Sequence, residues 1–307
     1  MRTVPFALLF ACACCSKAQV DLTAQDPASP PQRPVIVAGY DLGVPTRSFL
    51  LPDELQEVSA IAAADEHTLA CVQDEKGSLF FFDLDQGRVV RRAKFGPRGD
   101  YEGLARVGDD YWVLRSDGVL LRLVADADRY EIAETLATGL GVKEFEGLAV
   151  DRAAKGFVLA PKSLAKETEE GELRPLFAFD LATRLAAKEP LITLHLDEVL
   201  DAARLQGIAV PTRLSKRGKE KPLVRLFFAE VAVHPETGDL WLLSAGDRAL
   251  LVVDRNGQFR GMHFFSTDEM PQPEAATFLP NCDLVLGSEG AGSPAVLRVY
   301  ARVPQPR

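Results

Sequence analysis

One phrase returns through this chain and limits what the chain can fold into. "YEGLARV" occupies 101–107 and "FEGLAVD" 145–151, with looser copies at 58–64 ("VSAIAAA"), 228–234 ("FAEVAVH") and 273–279 ("PEAATFL"). The second residue of each copy is Ser59, Glu102, Glu146, Ala229 or Glu274. Three of the four steps between them are 43, 44 and 45 residues, and the fourth is 83. Each copy opens a set of strand-like runs, such as "YWVLRS" and "VLLRLVA" after 102, separated by Gly, Asp and Asn at the turns. A period in the low forties with four strands per unit is the pattern of a β-propeller. A single unit cannot cover its own apolar face, so the units must pack against one another around an axis.

The expected fold is therefore all-β: a single β-propeller of five four-stranded blades, with six blades as the alternative. The last repeat has only three strands before Arg307, and "PVIVAGYDLG" at 34–43 is expected to supply the fourth and close the ring at its N-terminal strand. The long step holds "DEVLDAARLQGIA" at 197–209, where Val199, Leu200, Ala203 and Leu205 fall at helical spacing, and then the basic run "RLSKRGKEK" at 213–221. It reads as one blade carrying an insertion near 196–222. A second insertion is expected near 163–174.

Residues 1–18 read as an export signal. Arg2 precedes the apolar run "TVPFALLFACACC", which is too short to span a bilayer. Cleavage after Ala18 and lipidation at an N-terminal cysteine both fit, and the lipoprotein reading is preferred. Residues 19–33 form a Pro-rich linker, and the propeller occupies 34–307. The expected location is outside the cytoplasm, periplasmic or as a membrane-anchored lipoprotein of a bacterium, with no membrane contact beyond that anchor. Three of the five cysteines lie in the signal region. Cys71 and Cys282 remain as two separate buried thiols or, if the first and last repeats touch, a pair. Without a CxxC or a Cys/His cluster, structural zinc is not expected.

A net charge of -9 excludes a general nucleic-acid binder. No G-x-S-x-G elbow, phosphate loop or dinucleotide fingerprint is present. His67, His195, His234 and His263 share no spacing and read as surface or core residues. Trp112 and Trp241 fall in second strands and read as packing between sheets.

The chemistry-bearing residues are carboxylates. In a propeller the inner strands begin at one end of the channel, and the second strands return to that end. The strand-start set is Glu57, Asp100, Glu102, Glu144, Glu146 and Glu274, and the returning set is Asp74, Glu75, Lys162 and Glu289. Carboxylates around one mouth repel unless a cation or protons compensate them. A donor set of oxygens alone suits calcium. Glu102, Glu146, Glu274, Glu57 and Glu289 are the expected metal ligands. Asp74, Glu75, Asp100, Glu144 and Lys162 complete the polar mouth, with Arg115 near it. The competing reading gives the acids a purely architectural task, accepting backbone hydrogen bonds between blades while Gly103 and Gly147 let strands approach. Ala229 breaks the acidic pattern, and Glu230, one position out of register, is expected to face the opposite way.

The motifs "LPDELQEVSAI" (51–61), "CVQDE" (71–75), "GDYEGLA" (99–105), "EFEGLAVD" (144–151), "AVHPETGDLWLLS" (232–244) and "QPEAATF" (272–278) resemble the SdiA-regulated (YjiK-like) β-propeller family of exported bacterial proteins. The resemblance runs over roughly 45–300 and implies a propeller related to phytase-like and esterase-like propellers, without implying a reaction. The expected function is a ligand- or protein-binding module of the cell envelope with a calcium-type acidic mouth, acting as a monomer on a small molecule or an envelope protein. The alternative is a calcium-dependent phosphoester or ester hydrolase.

Overall fold

Strands dominate because the repeats alternate apolar residues with turn signals and contain few helix-length patterns. In the computed structural model, which describes residues 35–164, 172–214 and 218–303, they assemble into five antiparallel blades. The export-signal and linker readings at 1–18 and 19–33 lie outside the described residues, as do parts of both insertions.

Blade one comprises Val58–Ala63, Thr68–Gln73, Lys76–Asp83 and Arg88–Arg98, and blade two Tyr101–Val107, Asp110–Arg115, Val119–Asp126 and Arg129–Ala137. Blade three comprises Val142–Asp151, Gly156–Leu164 and Leu173–Asp180. Its outer position is divided between Leu185–Ala186 and Ile192–His195, which pair with opposite ends of the third strand. Blade four is Glu230–Val233, Leu240–Ser244, Ala249–Val253 and Phe259–Phe264. Blade five has Gln272–Phe278, Leu284–Glu289 and Val296–Tyr300. The inner strands touch in a closed cycle, each against the next and the fifth against the first. The expectation of five blades holds.

The outer strand of blade five is Arg47–Leu50, which pairs with Val296–Val299 in register Val296↔Leu50 through Val299↔Arg47. This corrects the assignment of 34–43 to that place. Ala38 and Gly39 have φ of 44° and 91°, the geometry of a tight two-residue hairpin turn, so the segment folds back with Val37 opposite Tyr40. The hairpin drops Tyr40 into the core beside Trp241 and Phe278.

The core is divided by seam. Five apolar clusters lie between blades one and two, two and three, three and four, four and five, and five and one. Both tryptophans bridge seams: Trp112 meets Phe157 of blade three edge-on, and Trp241 meets Phe278 of blade five. The insertion forms a helix, Leu196–Leu205, that packs against the outer strand of blade four through Val199, Leu200 and Ala203. Leu205, expected on that face, ends the helix and is 89% exposed. The described part of the basic run forms an exposed hairpin, Thr212–Leu214 with Glu220–Pro222. Cys71 and Cys282 are both buried and free.

Candidate functional site

The inner strands start with a shared irregularity. In blades one, two, three and five the pairing with the second strand slips at Ser59, Glu102, Glu146 and Glu274. Each is an extra residue outside the ladder, a β-bulge, which re-aims the side chain it carries. In blades two and three the residue after the bulge must be glycine. A Cβ on Gly103 would lie 2.6 Å from the Leu148 Cβ and 3.1 Å from the Glu146 carbonyl oxygen. A Cβ on Gly147 would lie 2.8 Å from the Val231 nitrogen. Glu–Gly is thus an acid released from the ladder, followed by a close approach of the next blade.

These bulges bring the carboxyls together at one end of the axis. Glu102 faces Asp100 of its own blade, Glu146 of blade three and Glu274 of blade five. Burial first, then Glu146 and Asp100, pushes its carboxyl up to about 9. Glu146 is held by an ion pair with Lys162, beside Glu144. Burial raises it and Lys162 opposes, leaving it at about 7. Burial weakens the Lys162 ammonium, but Glu146, with Glu144 and Glu102 behind it, outweighs this and the group is raised overall. Glu274 is pushed up to about 8 by burial, while the Gln272 amide opposes by donating to it at 2.6 Å. The same amide donates to Glu289 at 2.5 Å, and burial raises Glu289 too. Glu289 lies near Asp74 and Glu57, and Asp74 is raised first by its own burial and then by Glu57.

Two subclusters therefore meet at Glu274. One holds Glu102, Glu146, Glu144, Asp100 and Lys162, and the other Glu289, Asp74 and Glu57. Asp100 accepts from the Ser116 hydroxyl. Glu75 lies at the edge, exposed and paired with Arg98, and Arg115 pairs with Asp117 at 2.6 Å.

Glu230 is placed differently from the expectation. It does not face away: its carboxyl lies in the field of Glu146 and Glu102, and its side chain crosses to blade three. Its Oε1 accepts from the Leu148 N–H at 3.0 Å and the Val231 N–H at 2.8 Å, and its buried Oε2 has no partner among the described residues. Burial holds this carboxyl well above the usual range. Gln272, which ties Glu274 to Glu289, was also missed, although it lies two residues before Glu274 in the same strand.

The mouth's donors are oxygens, as calcium requires, but they are not gathered into a cage. Among the described residues no three His, Cys, Asp or Glu side chains are grouped as metal ligands would be.

No family model matches this chain, and no curated protein matches it significantly. Among solved structures, glutaminyl cyclase of Myxococcus xanthus superposes with a TM-score of 0.51 at 12% identity, over 84% of this chain and 94% of that one. A streptogramin B lyase gives 0.46 at 9% identity, over 82% and 97%. At such identity the likeness to the cyclase is one of β-propeller fold.

Proposed function

We propose that this chain is an exported propeller of the cell envelope, periplasmic or lipid-tethered, of the SdiA-regulated (YjiK-like) kind, whose acidic mouth binds a cation or a cation-bearing partner. One observation carries the reading. Carboxyls from four blades, Glu102, Glu146, Glu230 and Glu274, share one buried electrostatic neighbourhood, with ionisation suppressed in each. Held this way Glu102, Glu230 and Glu274 keep protons at neutral pH, and Glu146 part of one, that a cation would displace, so binding would release protons. Calcium is the cation to try first because the donors are all oxygens. Glu102, Glu146 and Glu274, with Glu57 and Glu289 next, are the groups that would have to draw together around it. The partner presented to this mouth is a small molecule or an envelope protein, and the propeller acts as a monomer.

The test is a melting curve of the full chain, stripped with chelator and then titrated with calcium or magnesium. A calcium-specific rise in Tm is expected, about 2.7 kcal/mol of stabilisation at a hundredfold excess over Kd. It should vanish in a Glu102→Gln, Glu146→Gln double variant. No rise with either cation removes the cation-binding reading.

Hydrolysis is the second reading, and Glu146 favours it: a carboxyl near 7 beside an ammonium can exchange a proton at neutral pH. A phosphoryl substrate also needs cations, yet Lys162 is held by Glu146 and Arg115 by Asp117. Phosphate- and carboxylic-ester turnover abolished by Glu146→Gln would establish it, and no turnover of either class would end it.

A further inference from the structure

The axis has a second end, and its chemistry is the reverse of the first. Where the inner strands finish, a chamber of about 400 Å³ opens, walled by all five blades. Its hollow has a cause in the repeat. Three residues after Ser59, Glu102, Glu146, Ala229 and Glu274, the equivalent positions of the five repeats, stand Ala62, Ala105, Ala149, Ala232 and Thr277, and all five line the chamber. One layer of small side chains, repeated around the axis, leaves the space unfilled. The inner strands are sheet edges, so the walls also present backbone groups that no neighbouring strand pairs.

The charges around it are arginines from three blades: Arg106, Arg152 and Arg255. Arg255 is neutralised by Asp151, which it grips through two hydrogen bonds of 2.7 Å. Glu236, the acid in the lining, is taken by Arg302. His234 carries no charge there. Its Nδ1 accepts the Glu236 and Thr237 N–H groups, its Nε2 lies 3.0 Å from the Tyr40 hydroxyl, and burial lowers its basicity. One guanidinium is then unpaired among the described residues, Arg152, and a second, Arg106, is paired only loosely. Arg106 donates to the Ala64 carbonyl and lies 3.6 Å from the fully exposed Asp109, and Arg152 makes no side-chain hydrogen bond or ion pair among the described residues.

We propose that this chamber is a second binding site, for a small organic oxyanion, a carboxylate or a phosphate ester, whose charged group is held by Arg152 and Arg106 and whose body fills the alanine-lined hollow. A protein of net charge -9 that lines a cavity with an unpaired arginine and a second paired only with an exposed aspartate has a local attraction for anions against its own overall field. Guanidinium suits either oxyanion through paired N–H donors. The volume is that of a small-molecule site. The acids at the opposite end would repel the same ligand, so the two sites select opposite charges.

Calorimetry on the full chain, with chelator present to keep cations from the acidic mouth, tests this with succinate, methyl phosphate and neutral succinamide. Either anion, or both, should bind, more weakly as salt rises, and succinamide should not. Binding by one anion alone identifies the oxyanion. Arg152→Glu, at an exposed position and checked by a melting curve that should match the parent's, should weaken binding tenfold or more. Arg106→Gln should weaken it less. Heats for both anions no larger than for succinamide, or an affinity unchanged in Arg152→Glu, would overturn the proposal.

Discussion

Glu102→Gln tests the electrostatics of the mouth through stability, with no ligand needed. In the folded protein the Glu102 carboxyl is raised to about 9, against an ordinary value of 4.5 in the unfolded chain. Near neutrality the folded state keeps a proton there that the unfolded state has lost. Stability from this group is complete below about pH 4.5, declines as pH rises, and is gone above about 9. Within that window one such group changes stability by about 1.4 kcal/mol per pH unit. Glutamine has nearly the same shape and no proton to lose, so the variant lacks this slope. Between pH 5.5 and 7.5, Glu102→Gln should therefore gain on the parent by about 3 kcal/mol, whichever is more stable at the start. Urea unfolding in chelator at half-unit pH intervals measures this, provided the denaturant slope stays constant. Parallel curves for variant and parent would show that Glu102 ionises normally in the fold, and would refute the claim that burial and Glu146 suppress its charge.

Glu230→Gln should shift stability at pH 7 by less than about 1 kcal/mol, since the acceptor is kept, whereas Glu230→Ala should cost about 2–4 kcal/mol by stranding the Leu148 and Val231 N–H groups. Gly103→Ala should cost about 1–3 kcal/mol in thermal or urea unfolding, because its new methyl meets the Leu148 Cβ and the Glu146 carbonyl of the next blade. Arg255→Met should cost about 1–3 kcal/mol at neutral pH, less than a fully buried pair because Arg255 is 37% exposed and the Ala153 and Ala154 N–H groups still donate to Asp151. The Cys71 thiol, wholly buried and raised by that burial, should react with a disulfide reagent no faster than the protein unfolds.

Much of this fold is legible in the sequence because a propeller repeats its own unit. The phrase at Glu102, Glu146 and Glu274 marks the start of each inner strand, and its step gives the blade length. The closing strand is not legible in the same way. "PVIVAGY" alternates well enough for a blade strand, and only the positive φ at Ala38 and Gly39 turns it into a hairpin, leaving the short "RSFL" to pair with the last repeat. Glu230 fails for a related reason. Strict alternation turns neighbouring residues to opposite faces, but a bulge sets two residues against one partner and breaks that parity. The Ala229 N–H bonds the Leu243 carbonyl while Glu230 pairs with Leu243, so Glu230 is not turned away from the axis.

The same distinction separates the two roles that the sequence left open for the acids. Ser59 donates to the Tyr101 carbonyl across the first seam, and Glu230 accepts from Leu148 across the third. These two side chains tie neighbouring blades through the backbone and account for the architectural role. Among the described residues Glu102, Glu146 and Glu274 do not do this. Their described partners are side chains: Asp100, Lys162, and Gln272 with Glu289. An acid that is outside the ladder, bonded to no backbone and buried among its own kind adds little to the fold and costs solvation to keep. A scaffold would be better served by alanine, which stands at the equivalent repeat position of blade four as Ala229. That three other blades keep glutamate there is the physical argument behind the proposed site at the mouth, and the cation titration is what tests it.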